Sequence, residues 1–109
     1  MKTRGNFVAT LLGVVVSIVM TSSAALAADV ANGKALALKW CSACHLVAND
    51  QERVSDAPLP SFYDVAKDPS LSSEALKTFL ADPHPKMPNM SLSNSEISDL
   101  AGYIGSLAP

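Results

Sequence analysis

The sequence contains two cysteines, and both lie in the segment Cys41-Ser42-Ala43-Cys44-His45. Two thiols separated by two residues and followed at once by a histidine form the attachment motif for a c-type haem. At this spacing each thiol can add to one vinyl group of the haem, and the next imidazole then faces the iron from the proximal side. The motif restricts the fold more than any other feature, because the chain must enclose a large flat group that is fixed to one of its turns.

Three other uses of a cysteine pair fit the sequence less well. A disulfide between Cys41 and Cys44 would close a very short loop, gain little chain entropy and be strained at the end of a helix. A thioredoxin-like redox pair requires a preceding strand and a βαβ unit, and the sequence predicts neither. A zinc site requires four ligands, and after the motif only His84 remains as a further histidine. The pattern therefore favours covalent haem.

The first 27 residues differ in composition from the rest of the chain. Lys2 and Arg4 precede an uncharged stretch from Phe7 to Met20, and Ala25-Leu26-Ala27 matches the small-residue pattern that signal peptidase accepts. We therefore interpret residues 1–27 as a signal peptide, cleaved after Ala27, which directs the protein to the periplasm. An uncleaved membrane anchor is the alternative, because this segment is just long enough to span a bilayer. The polar residues 21–23 and the alanine-rich cleavage site argue against an anchor.

Residues 28–109 form one small domain with few large apolar side chains. Of these 82 residues, 25 are apolar and larger than alanine, which is near the limit at which a domain needs a disulfide, metal or cofactor for stability. Only six are valine or isoleucine, which disfavours an extensive sheet and predicts an all-α fold. Six basic and ten acidic residues give a formal charge of −4, which disfavours nucleic acid and anionic lipid as partners.

Apolar residues recur at helical spacing in two segments before the last helix. The first helix begins after Asp29, its predicted N-cap, and runs into the first cysteine. Its apolar face consists of Val30, Gly33, Leu36, Ala37 and Trp40. Residues 46–60 are predicted to form an extended loop, and a short helix is predicted over residues 62–66. A further helix follows Ser72 and ends before Pro83, and residues 83–88, with three prolines, are predicted to be extended.

The last helix has the strongest local signal in the sequence. Ser93 and Glu96 have the spacing of a capping box, in which each side chain satisfies a free amide of the other's turn, and Leu92 and Ile97 have the spacing of a hydrophobic staple. An apolar stripe then runs along the helix. It consists of Ile97, Leu100, Ala101, Ile104 and Leu107, with Tyr103 at its edge.

The sixth ligand of the iron must come from elsewhere in the chain. The candidates are the thioethers of Met87 and Met90 and the imidazole of His84, because electron-transfer cytochromes use a Met/His pair. Met87 is favoured, since it lies between two prolines that restrict its segment before any ligand binds. Met90 is the alternative axial ligand, or a residue that fills a gap against the haem edge. His84 is alternatively a surface imidazole in a turn.

These motifs resemble those of the class I cytochromes c of the small bacterial periplasmic type. The resemblance covers nearly all of residues 28–109, with the attachment motif at the end of the first helix. It implies three to four helices around one covalent haem, with the N- and C-terminal helices packed together. Pro60-Ser61-Phe62 resembles the family's Pro-x-Leu element, which implies that the Pro60 carbonyl accepts a hydrogen bond from His45 and that Phe62 lies beside the haem.

The resemblance extends to the axial methionine and to the contact between the terminal helices. Met87-Pro88 resembles the family's distal Met-Pro, and residues 100–104 resemble its C-terminal helix, which implies that Tyr103 packs on Gly33. Loop 46–60 offers no clear residues for the haem propionates. Trp40, directly before Cys41, either shields the haem or fills the core, and its position on the helical stripe favours the core.

The predicted function is that of a monohaem electron carrier with no enzymatic activity. Axial ligation by His45 and Met87 leaves no open site, so the protein would pass single electrons between a donor and an acceptor. The acidic charge predicts basic docking patches on these partners, and we expect a monomer with no stable membrane insertion after cleavage. A gas-binding sensor is an alternative, although cytochromes c′ carry their motif near the C-terminus, whereas 64 residues follow His45 here. Another alternative is that the protein is a subunit of a larger dehydrogenase or oxidase.

Overall fold

The computed structural model describes residues 27–82 and 86–109, and every regular element in these ranges is a helix. The four helices are α1 (Val30–Trp40), α2 (Phe62–Lys67), α3 (Ser73–Ala81) and α4 (Asn94–Ser106). The predicted all-α fold is confirmed. The predicted signal peptide and His84 lie outside the described residues, apart from Ala27. Among the helices of the described part, none is long and apolar enough to cross a membrane.

Each helix begins directly after a residue whose side chain accepts a hydrogen bond from a free backbone amide of the first turn. The side chain of Asp29 accepts a hydrogen bond from the backbone amide of Asn32 at 3.0 Å, which confirms the N-cap of α1. At α4, the amide of Glu96 donates to Oγ of Ser93 at 3.2 Å and the amide of Ser93 donates to the Glu96 carboxylate at 2.8 Å. This is the predicted capping box. Ser61 and Ser72 cap α2 and α3 in the same way.

Helices α1 and α4 form the main helix pair, and α2 and α3 also contact α4. Gly33 lies where the backbones of α1 and α4 come closest. A Cβ atom at this position would lie 2.7 Å from both the carbonyl carbon of Asp99 and the Cβ atom of Tyr103. Glycine in a helix costs about 1 kcal/mol relative to alanine, and the close approach is the physical reason for it here. The predicted contact between Gly33 and Tyr103 is confirmed.

Asp99 joins the start of α1 to the middle of α4. Its carboxylate accepts hydrogen bonds from the backbone amide of Asp29 at 2.8 Å and from the side-chain amide of Asn32 at 2.7 Å. The bond from Asn32, followed by that from Asp29, holds the pKa of the Asp99 carboxyl below its usual 3.8. The negative charge also lies at the N-terminus of α1, where the helix dipole favours an anion.

We expect Asp99→Asn to be less stable than the wild type at neutral pH, by several degrees in the unfolding midpoint. The two bonds go to different carboxylate oxygens. The amide loses the charge and replaces one of these oxygens with an NH2 group, which cannot accept a hydrogen bond. Because folding lowers the pKa, the carboxylate stabilises the fold above pH 3.8, and this contribution disappears as the pH falls through the folded-state pKa. Thermal unfolding as a function of pH should therefore show the wild-type advantage shrinking in acid.

Asp56→Asn is the matched control for this charge change, because Asp56 is exposed and no hydrogen bond to its side chain is present among the described residues. Its unfolding midpoint should stay close to that of the wild type over the same range. A constant difference between the wild type and Asp99→Asn at every pH would contradict the role given to the charge.

Two local expectations are wrong. Trp40, the last residue of α1, does not fill the core, because 42% of its surface is exposed. Val30, at the opposite end of α1, is also exposed. Residues 83–85 of the segment predicted to be extended lie outside the described residues. Within this segment Lys86 and Met87 form a turn and a bend instead.

Candidate functional site

The attachment motif forms a tight turn at the end of α1. The amide of Cys41 donates to the carbonyl of Ala37 at 2.9 Å and closes the helix. The amides of Cys44 and His45 then both donate to the carbonyl of Cys41, at 3.1 and 2.9 Å. This second turn follows directly from the short spacing of the motif, and it fixes the two cysteines and the histidine relative to one another.

His45 is positioned by the segment that leads into α2. Its Nδ1 atom lies 2.8 Å from the carbonyl oxygen of Pro60. Because a carbonyl oxygen only accepts, Nδ1 must carry the hydrogen, and Nε2 is left with a free lone pair for a metal. The ring of Phe62 lies 5.7 Å from the imidazole, measured between ring centroids. The backbone amide of Phe62 donates to the carbonyl of Leu46 at 2.9 Å. The imidazole thus has a defined tautomer and a fixed direction.

The two cysteine side chains lie in different environments. Cys41 is buried and Cys44 is exposed. Burial, followed by the proximity of Cys44, raises the pKa of the Cys41 thiol to about 11. A Cys41 side chain that is not bonded to a haem is therefore neutral and behaves as a small apolar side chain.

A cavity of about 540 Å³ opens beside the motif turn. Its walls come from the motif, from α2 and α3, and from α4, which contributes Leu100 and Ile104. Both cysteines, His45, Met87 and Met90 lie in this wall, and the other lining side chains are apolar except for Lys86. The volume is within the range of cofactor sites, and the chemistry suits a porphyrin: an apolar slot with two thiols, one imidazole and thioethers. A neighbouring groove of about 770 Å³ contains charged side chains and neither imidazole nor thioether.

Both candidate methionines reach the cavity. Met87 and Met90 are half-buried, and each lines the wall, so the geometry brings the motif and the methionine segment together. Ser91, which follows Met90, has a positive φ of 52°. Its amide donates to the side chain of Asn89 at 2.9 Å. Positive φ is costly for residues other than glycine, and such residues are concentrated at functional sites.

Three large apolar side chains at the rim of the cavity are exposed to solvent: Trp40, Leu59 and Phe79. The Nζ atom of Lys39 lies 4.9 Å from the centre of a Trp40 ring, in a cation–π contact. Trp40 thus lines the cavity and does not lie in the core, and its role in shielding the haem remains a prediction. Pro60 and Phe62 also line the cavity.

Sequence reasoning missed the residues that hold loop 46–60 in place. The hydroxyl of Tyr103 donates to the carbonyl of Val47 at 2.6 Å, and the amide of Asn49 donates to the hydroxyl of Tyr63 at 3.0 Å. Gln51 makes three hydrogen bonds to the backbone of the same loop and one to the carbonyl of His45. No pattern of residue types predicts these contacts, because the partners of these side chains are backbone groups, which every residue carries.

Comparisons with known proteins agree with this site. Residues 28–104 match the family model described as cytochrome c oxidase, cbb3-type, subunit III. The chain is 54% identical over 95 residues to cytochrome c-552 of Bradyrhizobium diazoefficiens, which covers 87% of this chain and 90% of that protein. No solved structure matches the chain. With its attachment motif and apolar cavity, the chain therefore belongs to the monohaem c-type cytochromes, a family of electron carriers, not of enzymes, whose haem is covalently bound.

Proposed function

We propose that this cytochrome passes single electrons through a haem that Cys41 and Cys44 hold covalently and that His45 and Met87 ligate axially. The observation that carries the proposal is the shared cavity, in which both thiols, the imidazole and the thioethers line one apolar wall. The haem, when bound, supplies the one-electron chemistry of iron. The chain supplies the ligands, and it leaves no coordination position open to a substrate.

The protein groups around the cavity favour fast and reversible electron transfer. Nδ1 of His45 donates to the Pro60 carbonyl, which fixes the ring and makes Nε2 a better ligand. A thioether as the second ligand raises the reduction potential relative to a second histidine. The apolar wall lowers the local dielectric and keeps water away from the iron, so little rearrangement accompanies the change in charge. These features support a carrier whose structure is nearly the same in both oxidation states.

The site of action that we propose is the periplasm. The support is the sequence of residues 1–27, with its basic start, apolar stretch and small-residue cleavage pattern. Cleavage after Ala27 would leave a domain of residues 28–109 with a formal charge of −4. We further propose that its redox partners present basic patches, since opposite charges accelerate protein encounter, and that the domain acts as a monomer without a membrane segment.

The intact mass of the exported protein and its reaction with carbon monoxide test the proposal together. The mass should equal that of residues 28–109 plus one haem, and the ferrous protein at neutral pH should bind carbon monoxide slowly or not at all. A mass without haem would refute the cofactor assignment. Rapid and complete binding of carbon monoxide would instead favour the gas-binding alternative, because it requires an open axial position.

A second candidate function is that of a subunit in a larger oxidase. The description of the matching family model, a cbb3-type oxidase subunit, favours this alternative. The similar length of cytochrome c-552, 90% of which the chain covers, favours a free carrier. The two functions differ in the partner surface and not in the haem site. Purification from membranes in mild detergent distinguishes them, because a subunit would co-purify with other oxidase chains and a free carrier would not.

A further inference from the structure

Loop 46–60 has no regular secondary structure, yet it must hold its last carbonyl, that of Pro60, against the imidazole of His45. A loop without helix or strand hydrogen bonds needs other contacts to fix its path. Gln51 provides most of them at the start of the loop. Its Oε1 atom accepts from the amides of Val47 at 2.7 Å and Ala48 at 3.2 Å. Its Nε2 atom donates to the carbonyls of His45 at 3.3 Å and Arg53 at 2.5 Å.

The chemistry of these partners requires a carboxamide at position 51. Backbone amides can only donate and backbone carbonyls can only accept, so the orientation of the Gln51 side chain is unambiguous. Two hydrogen bonds to its oxygen and two from its nitrogen use its full capacity. Val47 and Ala48 are buried, so their amides would lack a partner if the side-chain oxygen were removed. A glutamate at position 51 would still accept from these amides. Its second oxygen, which is charged and cannot donate, would face the carbonyls of His45 and Arg53.

His45 is therefore held at two points. The Pro60 carbonyl fixes Nδ1 of the ring, and Gln51 fixes the main-chain carbonyl of the same residue. The next residues of the loop are tied to α4 by Tyr103 and to α2 by Tyr63, so the loop cannot shift as a unit to compensate. We propose that Gln51 is a positioning residue for the axial ligand: through the carbonyl of His45 and the path of the loop, it sets the plane in which the imidazole meets the iron.

This proposal rests on the proposed function, because it concerns His45 as an axial ligand. The test compares Gln51→Glu, which retains the acceptor half of the side chain and removes the donor half, with Glu52→Gln, the opposite change at the adjacent exposed residue. A double variant with both changes has the wild-type net charge. The readouts on the holoprotein are the order and spread of the haem-methyl proton resonances in the ferric state, the reduction potential, and the weak red absorption band that reports sulfur ligation.

In Gln51→Glu and in the double variant we expect a changed order or spread of the haem-methyl resonances and a shifted potential, with the red band retained. Glu52→Gln should resemble the wild type in all three. The methyl resonances report the plane of the axial ligand, which a loss of stability alone would not alter. Folded Gln51→Glu protein with wild-type resonances and potential would overturn the proposal, as would equal changes in Glu52→Gln. Absence of the red band from the wild type would instead refute the Met ligation, which is a separate failure.

A measurement on the wild type covers the case in which Gln51→Glu does not fold. The two side-chain amide protons of Gln51 should exchange with solvent much more slowly than those of Asn89, whose nitrogen donates no hydrogen bond among the described residues. Equal exchange rates for the two side chains would show that Gln51 does not hold the His45 carbonyl in solution, and the proposal would be wrong.

Discussion

Met87→Ala is expected to abolish the weak red absorption band and to open the iron to carbon monoxide. The band arises from sulfur bound to iron, and Met87 lines the cavity that the motif also lines. Pro88 restricts the backbone of Met87, so the side chain loses little freedom when it binds, and removing it removes a preorganised ligand. The reduction potential should fall, because a thioether stabilises the ferrous state. Absorption spectra and carbon monoxide binding measure the effect.

Met90→Ala is the matched control, since Met90 is also half-buried and lines the same cavity. This variant should retain the band and bind carbon monoxide no faster than the wild type. If the band instead survives in Met87→Ala and is lost in Met90→Ala, Met90 is the axial ligand and our assignment is wrong.

Gly33→Ala is expected to destabilise the fold by about 2 kcal/mol, although alanine is the better helix former by about 1 kcal/mol. The added Cβ would lie 2.7 Å from the carbonyl carbon of Asp99, which is backbone in the middle of α4 and cannot rotate away. The helices must separate, and this would disturb the bonds from the start of α1 to the Asp99 carboxylate. For a domain of this size, such a loss lowers the unfolding midpoint by roughly 10 °C.

Gly105→Ala provides the control for helix propensity. Gly105 is exposed in the last turn of α4, and a Cβ there would meet nothing within 4 Å. The substitution should leave the protein unchanged or raise its stability by up to about 1 kcal/mol. Thermal and denaturant unfolding of both variants measures the contrast. If Gly33→Ala is as stable as Gly105→Ala, the close approach of α1 and α4 does not govern stability.

Among the predictions from sequence that the structure confirms, the starts and ends of the helices depend only on neighbours within one turn. Asp29 and Ser93 cap their helices because a short polar side chain reaches an amide two or three residues ahead. Pro83 marks the end of α3 because proline lacks the amide that a helix needs, and the helix ends at Ala81. Such interactions require no knowledge of the rest of the chain.

The prediction for Trp40 failed because burial is a property of the assembled helices. The helical stripe places Trp40 on the same face as Leu36, which is buried, and the spacing alone does not distinguish the exposed residue from the buried one. The choice of Met87 over Met90 remains a prediction for a related reason. Both side chains line the cavity, and the spacing of prolines distinguishes their backbones but not their contacts with the iron.

By itself, the sequence determined the chemistry of the protein: two thiols and an imidazole on one turn, helices with local start signals, and too few large apolar side chains for a core without a cofactor. Only the tertiary structure decided how that chemistry is held. The hydrogen bonds of Asp99 to the amide of Asp29 and of Tyr103 to the carbonyl of Val47 join side chains to backbone groups that any sequence would carry. Their partners are selected by distance in space, which local patterns of residues do not encode.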